Sequence, residues 1–246
     1  MSRLRKIIGF VSPNLGKRIP DLRYAASVLS RMMGQIEHEC TVCGYNGRFV
    51  AAGHPPRYDA RCPVCRSLER HRLLMLAFER LKLIEQGKRV LHFAPEPVLQ
   101  DYLRGRAGEY KTGDLALGRA DFVLNIEALD LPDESFDIVI VNHVLEHVDD
   151  AKALAELYRI LAPGGILVAT VPIIEGWDVS YENAAITSKA DREIHFGQND
   201  HVRYYGRDLR DRIRTAGFSL DEFVGSGLEV VRYGLLRGER VFIGRK

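Results

Sequence analysis

The chain has 246 residues, 46% of them hydrophobic and 28% charged. That mix suits a soluble globular protein and excludes collagen-like, low-complexity and wholly disordered classes. The length fits one domain of about 200 residues with a small module attached. Thirty-five basic residues against 33 acids leave a net charge of only +2, so no global charge argument for nucleic acid holds. No window approaches the roughly 18 uninterrupted apolar residues of a membrane span.

Residues 1–36 form a basic arm, with Arg3, Arg5, Lys6, Lys17, Arg18, Arg23 and Arg31 against Asp21 alone. Its apolar run Ile7–Val11 is too short for a signal-peptide core, which places the protein in the cytoplasm. The arm reads as a solvated extension; a membrane-surface or nucleic-acid arm is the rival reading. Within it, Leu22, Ala25, Ala26, Leu29, Met32 and Met33 recur at helical spacing. They predict a helix from Pro20 to about Gln35, with Gly34 near its end.

The four cysteines fall together as Cys40-x2-Cys43, an 18-residue spacer, and Cys62-x2-Cys65. Two thiolates two residues apart bend into a knuckle, and two knuckles complete a tetrahedral site for zinc. The spacing predicts a structural zinc-ribbon module over 37–66. Two disulfides would suit a small secreted domain instead, and four unrelated thiols are the third reading. Gly44 supplies the φ freedom that the first knuckle needs.

Ser67 reads as the N-cap of a helix over Leu68–Gln86, closed by Gly87. Arg66, Arg70, His71 and Arg72 make a basic collar, read as a solvated helix face rather than a substrate contact. From Lys88 the pattern changes to short apolar runs alternating with helical stretches. Strands are predicted at Arg89–Phe93, Glu109–Gly113, Asp121–Ile126, Phe136–Val141, Ile166–Val171, Ser219–Val224 and Arg240–Gly244. Helices are predicted at Pro97–Arg104, Ala151–Leu161 and Arg207–Ala216. Nearly continuous hydrophobic strands are those covered on both faces, so the fold class is α/β, a doubly wound parallel sheet. The last two strands show no helix between them and are expected to form an antiparallel edge pair.

Asp133-Glu-Ser-Phe-Asp137-Ile-Val-Ile-Val-Asn142-His143-Val-Leu-Glu146-His147, followed by Leu157-Tyr-Arg-Ile-Leu-Ala-Pro163-Gly164-Gly165, resembles a class I S-adenosylmethionine-dependent methyltransferase of the type-11 group. The resemblance covers Lys88–Lys246 and implies a Rossmann-like seven-stranded sheet with an antiparallel last strand. It makes 67–246 the methyltransferase domain and S-adenosyl-L-methionine the cofactor. At the family's first motif this chain carries His92-Phe93-Ala94-Pro95-Glu96-Pro97, with His92 in the acid's place and no glycine. The resemblance implies cofactor contacts there, at His92, Phe93, Ala94 and Glu96. S-adenosylmethionine carries no phosphate, so it does not need the glycine loop that a pyrophosphate does. Glu96 is expected to pair with the ammonium of its methionine end. The acid at the second strand's end, Asp114, is matched to the ribose hydroxyls. Asn125 and Ile126 are matched to the adenine, and Asn142 to the pocket floor.

Methyl transfer is an in-line displacement on a cationic sulfur, and a base is needed only if the nucleophile carries a proton. The candidate catalytic residues are His143, His147, His195 and His201. The last two lie in the polar, aromatic segment 193–205, where the fold places its lid. That segment could instead dock the next helix. The function read here is methyl transfer to an O or N nucleophile of a small molecule, a glycan or a lipid-linked acceptor. One rival is an RNA methyltransferase gripping with the zinc ribbon and the arm. The motif Asn142-His-Val-Leu145 is unlike the Asn-Pro-Pro-Tyr of base-amino methylases. Another rival is a non-catalytic binding scaffold, for which the glycine-free first turn speaks.

Overall fold

The computed structural model describes residues 19–246. The basic arm up to residue 18 therefore lies outside the described residues. The chain continues as α1 (Ile19–Met32) and then four short strands, β1 (Glu37–Glu39), β2 (Asn46–Arg48), β3 (Val50–Ala52) and β4 (Arg57–Arg61). β1 pairs with β2 and β3 with β4, both antiparallel. This module has its own small core of Cys40, Phe49 and Cys62.

Then follow α2 (Glu69–Leu81), β5 (Arg89–Phe93), α3 (Pro97–Arg104), β6 (Glu109–Asp114), β7 (Phe122–Val123) and β8 (Phe136–Asn142). After them come α4 (Asp150–Ile160), β9 (Leu161–Thr170), β10 (Tyr181–Glu182), α5 (Lys189–Phe196) and β11 (Arg203–Tyr204). The chain closes with α6 (Leu209–Thr215), β12 (Ser219–Val224), α7 (Gly227–Tyr233) and β13 (Arg240–Arg245). The seven-stranded sheet has the order β12-β13-β9-β8-β5-β6-β7. β13 runs antiparallel to both neighbours and the remaining pairs from β9 to β7 are parallel. The doubly wound sheet with an antiparallel last strand is thus as the sequence pattern implies.

Strand parity explains the two layers. Side chains alternate faces along a strand. Leu91 and Phe93 join Val139, Val141, Leu167 and Ala169 in one core, with α4 and α6. Val90 joins Ile138, Ile140, Val168, Val241 and Ile243 in the other, with α2 and α3. Pro163-Gly164-Gly165 sits inside β9 as an irregularity. Between the pairs Phe136–Leu161 and Ile138–Ile166, β8 advances two residues and β9 five. Gly164 takes a φ of 74° there, in the left-handed region.

Several boundaries move. The third strand is only Phe122–Val123, because Asn125 turns the chain by accepting from Glu127 N. α2 ends at Leu81, where Lys82 takes the left-handed conformation at φ 50°. Ser67 does not cap α2; its hydroxyl lies 3.2 Å from the sulfurs of both Cys40 and Cys65. A helix, α7, does lie between the two antiparallel edge strands, started by a Ser226–Glu229 capping box. The collar is only partly a solvated face: Arg66 is exposed, whereas His71 and Arg72 are buried. Arg72 is fully buried and donates to the carbonyl oxygens of Ala60, Ser67, Tyr233 and Gly234. Its guanidinium also lies 4.5 Å from the Phe49 ring centroid. It thereby bolts the cysteine module to α7 and the sheet domain.

Candidate active site

The order β6-β5-β8 places a switch in connection direction between β5 and its neighbours. In such sheets ligands bind outside the strands' carboxyl ends at that point. A cavity of about 460 Å³ opens there, within the range of small-molecule sites. Phe93 and Ala94 form one wall, Gly113 and Asp114 a second, and Leu124, Asn125 and Ile126 a third. His143, His147 and Asp200 close the rim. Ala94 sits at φ 46°, supplying without glycine the left-handed turn this loop makes. Gly113 lets Leu124 pack close against the strand: a Cβ there would meet Leu124 Cδ1 at 2.9 Å and push that side chain aside.

Asp114 Oδ1 accepts from Ala116 N at 2.7 Å in a local turn, and the residue lines the cavity. Ile126 is buried in the wall and Asn125 stands at the mouth. These positions are compatible with a ribose at Asp114 and a ring at Asn125–Ile126.

Three residues expected at the cofactor lie elsewhere, and for His92 and Asn142 parity is the reason. His92 shares its strand face with Val90, and Asn142 shares its face with Ile138 and Ile140, so both point toward the α2 layer. His92 is fully buried, with Nδ1 2.9 Å from the Tyr110 hydroxyl, and burial pulls its imidazole down to about 4. Asn142 accepts from Thr170 Oγ1 and donates to Glu96 Oε2 at 3.2 Å. Glu96 does not offer a free carboxylate to an ammonium. It also binds His71 Nε2 at 2.7 Å and the Arg70 guanidinium at 2.8 Å. Burial alone would raise its carboxyl, but the His71 and Arg70 contacts outweigh that and hold it at about 2. None of the three residues His92, Glu96 and Asn142 lines the 460 Å³ cavity.

The four candidate histidines separate as well. His143, at φ 53°, lines the first cavity and also a second one of about 400 Å³. His147 lines the first cavity, its Nδ1 3.5 Å from Asp200. His201 is buried behind it, with Nδ1 on Phe196 O at 3.1 Å. His195 is exposed on α5, bonded to the Tyr181 hydroxyl, and lines neither cavity. In the same segment Gln198 faces the second cavity and Asp200 the first. Arg203 and Tyr205 instead dock the turn after β8, through Leu145 O, Val148 O and Asp150. The segment thus lines both cavities through Gln198 and Asp200, and its docking residues hold the turn after β8 rather than the next helix.

The second cavity was not visible in the sequence. Arg57, Arg70, Arg237 and Arg240 surround it, with Glu69, Glu239, His143 and Gln198. These residues come from β4, α2, the β8 turn, the 193–205 segment and the approach to β13, so no local motif announces them. Arg57, Arg70 and Arg240 are paired with Glu69, Glu96 and the Glu175–Glu222 pair. Among the described residues Arg237 has no such partner. Burial pushes the Glu239 carboxyl up to about 7, helped by Glu69 and opposed by His143, Arg70 and Arg57.

The four thiols lie together. Cys40 Sγ is 3.5 Å from Cys65 Sγ, and Cys43 Sγ is 3.8 Å from Cys62 Sγ. All four sulfurs lie within 4.8 Å of one another. A disulfide needs about 2.05 Å, whereas the edge of a ZnS4 tetrahedron with 2.3 Å bonds is about 3.8 Å. The donor set and its spacing fit a tetrahedral thiophilic ion.

Residues 77–169, from α2 through β9, match the family model described as a methyltransferase domain. The fold is that of the Rossmann-like methyltransferases. A crystal structure of an S-adenosylmethionine-dependent methyltransferase from Mesorhizobium loti aligns over 71% of this chain and 98% of its own, with TM-score 0.50 and 12% identity. The structure of the [4+2]-cyclase SpnF aligns over 73% and 82%, with TM-score 0.51 and 18% identity. In sequence, the ubiquinone/menaquinone biosynthesis C-methyltransferase UbiE of Escherichia coli is 36% identical over 150 residues, 54% of this chain. The chain spans 57% of that enzyme's length.

Proposed function

We propose that the chain is an S-adenosylmethionine-dependent methyltransferase acting on a small acceptor that carries an anionic group. The observation that carries the reading is His143, which lines both the cavity at the strand switch and the arginine-ringed cavity beside it. Asp114 would hold the ribose, Asn125 and Ile126 the adenine, and the turn Phe93–Ala94 the methionine end. Bound there, the cofactor supplies an electrophilic methyl on a cationic sulfur. The chain's own residues do the rest: Arg237 orients the acceptor's anion, Arg57 lines the same cavity while held on Glu69, Gln198 covers it, and His143 stands at the junction. Glu239 takes the proton of an O or N nucleophile, its carboxyl poised near neutrality as a base should be. The four cysteines hold a structural zinc, which stabilises the module that supplies Arg57. A cavity of about 400 Å³ suits a small molecule or the terminal unit of a glycan rather than a folded RNA.

Because a [4+2]-cyclase shares this fold, methyl transfer itself must be measured. The test is transfer of labelled methyl to a panel of small carboxylated or phosphorylated alcohols and amines. A base must be ionised to act, so kcat/KM for an accepted substrate should rise with pH through about 7. Glu239→Gln should lower it by about 10²-fold or more and flatten that rise. An unchanged profile in Glu239→Gln would remove Glu239 from the chemistry.

A further inference from the structure

We infer that Glu146, His147 and His201 form a second metal site, for a divalent first-row transition ion, separate from the four cysteines. Glu146 and His147 are neighbours in the single helical turn Leu145–His147 that follows β8. His201 is brought beside them by the lid, whose Val202 N donates to Glu146 O at 2.9 Å. One ligating atom of each residue lies within 4.8 Å of the others. An ion about 2.1 Å from each donor holds its donors roughly 3 to 4 Å apart, so small side-chain rotations complete the set.

Glu146 makes the case. It is 1% exposed, yet neither carboxylate oxygen has a hydrogen bond among the described residues. Oε1 lies 3.2 Å from His143 Nδ1 without hydrogen-bond geometry. Arg203, which docks the same turn, gives its protons to Glu182, Leu145 O and Val148 O instead. A buried carboxylate left this way is costly, and a cation would compensate it. The imidazoles are set as ligands commonly are. His201 Nδ1 is held by Phe196 O and His147 Nδ1 faces Asp200, which leaves each Nε2 to give its lone pair. Two imidazoles and one carboxylate suit zinc, iron, cobalt or nickel better than magnesium or calcium. Three protein donors leave at least one open position, beside a cavity that His147 itself lines.

The experiment is titration of Co2+ into the zinc-loaded full chain, followed by calorimetry and visible absorption. One equivalent should bind, with ligand-field bands and no thiolate charge-transfer band. His147→Gln and Glu146→Gln should each weaken that binding at least tenfold, and His195→Gln should not. His147 is partly exposed, so its variant keeps the test on folded protein if Glu146→Gln misfolds. Absence of uptake by the wild-type chain, uptake seen only with thiolate bands, or uptake unchanged in His147→Gln would overturn the inference.

Discussion

Glu96 carries one charge shared among three residues of two elements: Arg70 and His71 on α2 and Asn142 at the end of β8. It sits at the N-terminal cap position of α3, directly before Pro97. Its folded carboxyl is depressed to about 2, so the stability it lends is present above its ordinary value near 4.5 and is lost as pH falls through about 2. Glu96→Gln should therefore cost about 1.5–3 kcal/mol at neutral pH, the scale of hydrogen bonds to a charged group. Thermal melts of the two proteins should converge as pH drops from about 4.5 to 2. Parallel melting curves across that window would show that the ion cluster adds nothing. His92 and Asn142 were open to a better reading from sequence. Each falls two residues from an apolar neighbour of the α2 layer, Val90 and Ile140, and period two assigns the face. The partners that spend Glu96 were not open to it, because they come from elements 25 and 46 residues away.

Among the elements, β5, α3 and β12 are legible in the sequence to the residue, because alternation or helical spacing is uninterrupted there. The helices α5 and α7 bury one residue each, Phe196 and Glu229, so neither carries an apolar stripe, though Ser226 and Glu229 carried a capping-box signal for α7. The cysteine spacing located the module, but nothing local indicated that Arg72 would be its anchor. Four carbonyl acceptors and a ring face depend on that one side chain. Arg72→Met should cost about 3 kcal/mol or more, since several buried carbonyls lose their donors together. Cys43→Ser should lower zinc content and melting temperature together. If zinc-depleted chain with reduced thiols melts where the wild-type chain does, the metal has no structural role.

At the scale of the whole molecule, the sheet supplies one cavity and the attached parts supply the other. The strand switch and β-turns shape the first cavity from Phe93 to Ile126. Arg57 of β4, Arg70 of α2 and Gln198 of the 193–205 segment shape the second, with the approach to β13. The cysteine module thus contributes a cavity residue, and its loss should weaken acceptor use more than cofactor binding. Among the described residues no helix is long and apolar enough to cross a membrane.

The central claim is that the glycine-free first turn still leaves a working cofactor cavity, with Asp114 at the ribose. Calorimetry with S-adenosylhomocysteine measures this most directly. The wild-type chain should bind one equivalent. Asp114→Ala removes a charged acceptor worth about 1.5–3 kcal/mol per bond, so affinity should fall at least tenfold while the chain stays folded. Absence of binding to the wild-type chain, or equal binding by both proteins, would contradict the claim.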